Sequence, residues 1–432
     1  MNEQHVLSRR IALQVFGAAG IGVALAACSG PGGTPGASRA LGPIPPAAGK
    51  PKGTVSFAHW RAEDHDAFET LAAEFKSKYT DAKVVQNISA TTDFEAQALQ
   101  RLRGGASGDA FANFRGAQFT SFAKAGIFTD LTNSDTTKLY QPLLIGAGKF
   151  EGKQLGYPYQ LVLPMPVMNE DAFDKAGADK APTDWDGFLN TCDKLKSAGY
   201  IPMSWPGADS AGNSQLFNCM IPNNAPVDDM CAQIESGKLK CTDEWFVKML
   251  KQCAEMAPFF QPHSEGTAPE PAQQLFASER AAMLVTGDYH IAAVRAQGAK
   301  FPVDMIFPIT TDTGKNKFEG CYNATFIMGV NSASKTQPAA MAWIDFLSQP
   351  ENAGKYANAT IQHVTVKDVE YENADLRKTG TWLSKKMALS AKFQILNLDT
   401  LNAVTQTIRA VISGTSPEKA AEDAQKVVDQ NL

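Results

Sequence analysis

Apolar and polar positions along the chain switch repeatedly between a short extended pattern and a helical one. Thr54 to Trp60, TVSFAHW, reads as a first strand, and the residues after it place Phe68, Leu71, Ala72, Phe75 and Tyr79 on one helical face. Lys83 to Ile88 gives a second strand. Thr92 and Glu95 then form a capping-box signature ahead of a helix carrying Phe94, Ala98, Leu99 and Leu102. Phe111 to Phe114 is a short third strand, followed by Phe119, Phe122 and Ala123 in a helix that Gly126 stops. Strands alternating with helices predict α/β architecture with a doubly wound, mainly parallel sheet.

The stretch from Gln154 to Ala178 breaks this rhythm. Leu161 to Met168 is apolar but contains Pro164 and Pro166, which remove ladder donors, so a crossover between two sheets fits better than one central strand. Asn169 is placed to cap the next helix and Gly177 to end it. Beyond it, Thr183 starts a helix with Trp185, Phe188, Leu189, Cys192 and Leu195 as its buried stripe. Ile201 to Trp205 is a strand, Gly207 to Asn213 a polar loop, and Ala281 to Thr286 a strand that turns at Gly287-Asp288 into a helix from Tyr289. Val303 to Phe307 reads as a second crossing. Phe326 to Val330, the helix of Trp343, and the apolar face of Leu398, Leu401, Val404, Ile408 and Val411 complete the pattern.

At 432 residues the chain is long enough for two or three domains. Its 40 basic and 45 acidic residues are spread without long runs, which leaves no electrostatic footprint for nucleic acid. The first 27 residues change the picture more. Ser8-Arg9-Arg10 precedes the short apolar run from Ile11 to Ala27, the pattern of an export leader, and the paired arginines resemble a twin-arginine signal. Leu25-Ala26-Ala27-Cys28 resembles a lipobox, which would make Cys28 the lipid-bearing first residue and tether the chain to the outer face of the membrane. Residues 28–52, rich in Gly, Pro and Ala, read as a flexible linker. An exported location permits Cys192, Cys219, Cys231, Cys241, Cys253 and Cys321 to pair, and buried free thiols compete with that reading.

Catalytic signatures are broken or missing. Gly207-Ala208-Asp209-Ser210-Ala211-Gly212 lacks the glycine two before Ser210 that a nucleophile elbow needs. His59, Glu63, Asp64 and His65 are metal-ligand types, but Asp64 is equally placed to cap the first helix, and neither a metal nor another cofactor is expected. What remains is a set of strand ends combining flat rings with forked polar groups. Trp60, Arg61, Glu63 and Asp64 follow strand one, Arg115 and Gln118 follow strand three, Tyr159 and Gln160 sit at the crossover, and Trp205, Asp288, Tyr289 and Asn323 lie near later strand ends. Ligands of open α/β sheets settle at strand carboxyl ends. A sugar offers apolar faces to rings and a hydroxyl rim to carboxylates, amides and Arg.

The stretches TVSFAHW, EFKSKYT, FAKAGIFTDL, EGKQLGYPYQ, PTDWDGFLNTCDKLKSAGYIPM, FASERAAMLVTGDYH, SASKTQPAAMAWIDFLSQPENA and ISGTSPEKAAEDAQ, in that order, resemble the extracellular solute-binding proteins of ABC importers, in particular the maltose-type sugar-binding lipoproteins. The resemblance implies a two-lobe periplasmic-binding-protein-like fold (type II) with hinge crossovers. It divides the chain into one lobe of residues 53–160 plus 307–355 and another of 161–306 plus 356–432. It implies a monomeric, non-enzymatic receptor that captures a carbohydrate, an oligosaccharide in the first instance, and delivers it to the transmembrane subunits of a permease. A non-sugar solute, or a glycan hydrolase using Glu63 and Asp288, are the alternatives. Tyr289 stands where many members have a stacking tryptophan. Three departures bear on the pocket: Cys321-Tyr322-Asn323-Ala324-Thr325 replaces a loop with paired glycines, His363 appears where Gly and Pro are usual nearby, and Phe114-Arg115-Gly116 lacks the acidic residue frequent there.

Overall fold

The computed structural model describes residues 47–104, 108–208 and 210–432. The leader of residues 1–27, the lipidation candidate Cys28, the linker as far as residue 46, and Asp209 lie outside the described residues. The end of the expected linker is not a free tether, because the Ala47 N–H donates to Gln337 Oε1 at 2.9 Å.

In chain order the strands are β1 (Gly53–His59), β2 (Ala82–Ile88), β3 (Ala110–Asn113), β4 (Lys149–Phe150), β5 (Lys153–Gln154), β6 (Tyr157–Val162), β7 (Val167–Asn169), β8 (Ile201–Ser204), β9 (Ala281–Leu284), β10 (Val303–Met305), β11 (Gly320–Val330), β12 (His363–Val364) and β13 (Met387–Leu389). One sheet runs β12-β6-β11-β3-β1-β2 with β13 paired to β11, a second runs β10-β7-β9-β8, and β4 pairs β5 in a small hairpin. β1 lies between β2 and β3 in parallel register, and Val55, Phe57 and His59, which share one face of it, are fully buried.

Both sheets are mixed, which corrects the expectation of mainly parallel ones: besides β1 with β2 and β3, β13 runs parallel to β11 and β8 parallel to β9. β11 runs antiparallel to both β3 and β6, β12 runs antiparallel to β6, and in the second sheet β7 runs antiparallel to β9 and β10. The reason lies in the crossings. Residues 163–166 carry the chain from β6 to β7, as the two prolines implied, and residues 306–319 carry it back from β10 to β11. Strands entered from the other sheet need no βαβ crossover and are free to run against their neighbours.

The assignment of residues 356–432 to the second lobe also needs correction at its start. Helix Pro350–Thr360 packs on helix His65–Lys78 through Tyr356 stacked at 5.0 Å on Phe68, and β12 hydrogen-bonds to β6. The chain stays with the first sheet past Val364. It then leans on the second lobe, where Asp375 takes a two-pronged ion pair from Arg295 and Trp382 Nε1 donates to Asp304.

Local punctuation is partly as expected. Asn169 Oδ1 accepts from the Ala172 N–H and Gly177 ends that helix at φ 60°. The capping box at Thr92 and Glu95 does not form: the helix Thr91–Arg103 follows Ala90 without a side-chain cap, and Glu95 instead faces Lys392. Asp184, not Thr183, caps the helix Trp185–Ser197, accepting from the Gly187 N–H at 2.8 Å. The polar loop expected over 207–213 gives way at Ser210 to a helix reaching Asn224.

Apolar side chains form two clusters. One fills the first lobe and continues through Leu163 and Met165 to Phe276, Leu284 and Ile291; the other, with Phe188, Trp205, Phe246 and Ile408, lies on the far side of the second sheet. All six described cysteines are free and buried, which corrects any expectation of disulfides among them. Burial raises their thiols where a shift is resolved, Cys231 and Cys241 to about 12. Without thiolate or access these groups are inert. A thiol-reactive chromophore at pH 8 should therefore label none of the six in the native protein and all six after denaturation; rapid native labelling would contradict the packing described.

Candidate functional site

β1 ends at His59, and the next residues turn back across its end. Trp60 and Arg61 lead into a short 3-10 turn, Ala62–Asp64, which runs directly into helix His65–Lys78. Opposite, β9 ends at Leu284 and the chain makes another 3-10 turn at Asp288–His290. Gly287 leaves room there for the Tyr289 ring: a Cβ would fall 2.3 Å from Tyr289 Cε1 and 3.0 Å from the Leu163 carbonyl oxygen. These two strand ends face one cavity of about 820 Å³, walled by Trp60, Arg61 and Glu63 from one lobe and by Tyr289, His290 and Gln297 from the other. Carboxyl ends of strands thus meet across a gap, as expected for an α/β ligand site.

Arg61 organises the first wall. Its Nε and Nη2 donate to the two carboxylate oxygens of Asp64 at 3.0 and 3.1 Å, its Nη1 pairs with Glu63 at 2.8 Å, and Nη2 also reaches the Tyr289 carbonyl at 3.4 Å. That last bond joins the lobes. Burial works to lower the guanidinium's pKa, but the carboxylates of Asp64 and Glu63 outweigh it and hold it above its ordinary value. Asp64 is saturated: besides Arg61 it accepts from the Tyr356 hydroxyl at 2.6 Å and from Gln160 Nε2 at 3.3 Å.

A second cavity of about 860 Å³ opens beyond Phe114, Lys392 and Phe393, which wall both spaces. Helices Thr91–Arg103 and Ala117–Lys124 form its first-lobe side, and the stretch from Lys392 to Thr405 forms the other. Gly116, at φ 86°, permits the close approach of this stretch, since a Cβ would lie 2.9 Å from the Phe393 carbonyl oxygen. Lys392 Nζ reaches Glu95 at 3.6 Å and lies 5.9 Å from the Phe114 ring centre, so charge and ring contacts hold the lobes together there.

The sequence profile of bacterial extracellular solute-binding proteins matches residues 61–354, well over half of the chain. The chain belongs to that family. An uncharacterized ABC transporter extracellular-binding protein of Pyrococcus horikoshii is 24% identical over 364 residues, covering 81% of this chain and 78% of its own. A chitin oligosaccharide binding protein superposes with a TM-score of 0.78 at 18% identity, over 88% of this chain and 99% of that one. The bacterial solute receptor AcbH, described with an exclusive preference for β-D-galactopyranose, gives 0.77 at 17% identity over 88% and 98%. These likenesses place the solute-binding protein in the two-lobe fold. No helix among its described residues is long and apolar enough to cross a membrane.

The structure sorts the binding protein's candidate residues. Trp60, Arg61, Glu63, Gln160 and Tyr289 line the first cavity, and Arg115 and Gln118 line the second. Four others are turned away. Tyr159 is fully buried with its hydroxyl donating to the Leu347 carbonyl, and Trp205 is enclosed in the second-lobe core against Phe260. Asn323 is enclosed within β11 and lines neither cavity, and Asp64 is occupied as described. In each case a buried partner on a distant segment claims the group, or the pleat of the strand points it inward.

Asp288 is also enclosed. Its Oδ1 accepts from the Leu163 N–H at 2.9 Å, anchoring the first crossing, and burial pushes its carboxyl up to about 7. Trp60 keeps only an edge for a ligand, because Phe114 stacks on it at 3.8 Å and Phe326 packs at 5.1 Å. Phe326 reaches that place with φ at 50°, a left-handed conformation unusual for an aromatic residue. The metal-type set is dispersed too: the His59 ring pairs with Gln86 and accepts the Arg61 N–H, while His65 pairs with Asp66 at the surface.

Sequence reasoning missed Lys392, Phe393 and His290 as cavity residues. Lys392 and Phe393 lie in a 3-10 turn with no motif of its own, and only their packing against Gly116 and Glu95 brings them to the cleft.

Proposed function

We propose that this solute-binding protein captures a carbohydrate between its lobes and delivers it to the transmembrane subunits of an ABC permease, held to the outer face of the membrane by lipid on Cys28. The observation carrying this reading is the facing of Tyr289 against Arg61 and Glu63 across a shared cavity, with Arg61 already bonded to the Tyr289 backbone. A flat ring on one wall and a forked cation with a carboxylate on the other suit the apolar face and hydroxyl rim of a sugar ring. The volume falls in the range of roughly 300–1,000 Å³ typical of small-molecule sites. Chitin oligosaccharide, named for one structural relative, and β-D-galactopyranose, named for another, span the chain lengths to be tried first. A ligand touching both walls favours the closed arrangement of lobes, which the permease can distinguish from the open one.

The hydrolase alternative is disfavoured by one specific observation. It needs Glu63 and Asp288 as a working pair, but the Asp288 carboxyl is spent on the Leu163 backbone and does not line the cavity.

The test is calorimetric titration of the protein with galactose, raffinose and chitin oligosaccharides, then of the Tyr289→Ala variant with the best ligand. Losing a buried ring face is expected to weaken binding by about 1.5–3 kcal/mol, roughly 10- to 100-fold in Kd. An unchanged Kd would remove Tyr289 from the site, and no carbohydrate binding at all would sink the reading. In cells, a Cys28→Ser variant should leave the membrane fraction; continued retention would refute the lipid anchor.

A further inference from the structure

The second cavity carries charge that the first does not. Its charged lining is Arg103, Arg115, Lys124 and Lys392 against a single carboxylate, Glu95, and that carboxylate is already within 3.6 Å of Lys392. Arg103, Arg115 and Lys124 make no ion pair with any described residue.

Arg115 is the informative one. It is partly buried at the end of β3, and burial without a compensating carboxylate pulls its pKa down from the ordinary value. A desolvated guanidinium with no acceptor costs free energy that an incoming acceptor would recover. Beside it, Gln118 Oε1 accepts the Phe114 N–H at 2.8 Å, which turns its Nε2 amide away; that nitrogen is buried with no partner. The partly buried guanidinium of Arg115, with no carboxylate beside it, therefore sits on this wall in an excess of positive charge. Neutral hydroxyls would each take one such bond, whereas a carboxylate or phosphate can take both prongs of the guanidinium fork and complement the field.

We propose that the second cavity is an anion subsite, and that the carbohydrate captured by this protein bears a carboxylate or a phosphate ester that enters it past Phe114. The inference rests on the carbohydrate reading and deepens it. Sugar rings occupy the cavity of Tyr289 and Arg61, and the anionic oxygens meet the Arg115 guanidinium on the other side of the shared wall.

The experiment compares, by calorimetry with the full mature chain, a neutral oligosaccharide, a uronate oligosaccharide of the same length, a sugar phosphate and inorganic phosphate. Charge-assisted hydrogen bonds predict that one acidic sugar binds about 10- to 100-fold more tightly than its neutral counterpart. Whether the uronate or the phosphate arm shows this identifies the anion. In Arg115→Gln the ratio of acidic to neutral Kd should collapse to about 1, and Arg115→Lys should restore part of it, with thermal melts establishing that each variant is folded. Equal affinity for neutral and acidic sugars, or a preference that survives Arg115→Gln in a folded protein, overturns the anion subsite and leaves the carbohydrate reading standing. Binding of inorganic phosphate alone, with no sugar of either kind, overturns both.

Discussion

Asp64→Ala is expected to destabilise the protein by about 3 kcal/mol, the low end of the cost of breaking a buried ion pair, because Arg61 keeps Glu63 as a second carboxylate partner. The Asp64 carboxylate takes both prongs of Arg61, the Tyr356 hydroxyl and the Gln160 amide, and all four groups are buried. Alanine would take an acceptor from three buried donors at once, one of them charged. Asp64→Asn, which keeps one acceptor oxygen, should cost less. Urea unfolding of the two variants against the parent measures the difference, and a loss below about 1 kcal/mol for Asp64→Ala would show that the network is not what holds the β1 turn. Because Arg61 also bonds to the Tyr289 carbonyl, a misplaced guanidinium should weaken ligand binding as well.

The second large effect is a loss of stability on mild acidification. Burial lowers His59 and His363 to about 4 and His290 to about 3, from an ordinary 6.5, and raises Asp288 to about 7 from 3.8. Between pH 4 and 6.5 the unfolded chain protonates three histidines that the folded chain keeps neutral, while the folded chain keeps one proton on Asp288 that the unfolded chain has lost. Unfolding therefore takes up 3 − 1 = 2 protons, and stability falls by about 2.7 kcal/mol for each pH unit of acidification. The histidine contribution is complete above 6.5 and is lost below it; the Asp288 contribution runs the other way and is lost as pH rises toward 7.

Asp288→Asn separates the two. It keeps an acceptor for the Leu163 N–H and removes the burial cost of the charge, so at pH 8 the variant should be more stable than the parent by a few kcal/mol at most. Below pH 6.5 it should lose stability more steeply, at about 4 kcal/mol per unit. Melting curves from pH 5 to 8 check both, and a melting temperature that does not change between pH 5 and 7 would refute the burial of these rings.

Much of this protein follows from short-range pattern. The run TVSFAHW becomes β1 and the next periodic run its helix, because strand and helix spacing need only neighbours a few residues away. Pro164 and Pro166 mark the crossing for the same reason, since a missing N–H is a local property. Tyr289 and Arg61 could be nominated as cleft residues from their place after strands, and the structure does bring them to one cavity.

Which nominated ring or charge remains open to a ligand was settled only by the tertiary fold. Tyr159, Trp205 and Tyr289 have similar local surroundings, but the Leu347 carbonyl, the core around Phe260 and the cleft claim them respectively. Asp64 is closed off by Tyr356, and Glu95 leaves its capping role for Lys392, both partners far along the chain. Arg115 differs from Arg61 in having no such partner, and that difference is what marks the second cavity. Composition and periodicity determine which elements form; burial and the pairing of charge depend on which distant segments meet, because the free energy of a polar group is set by what replaces its water.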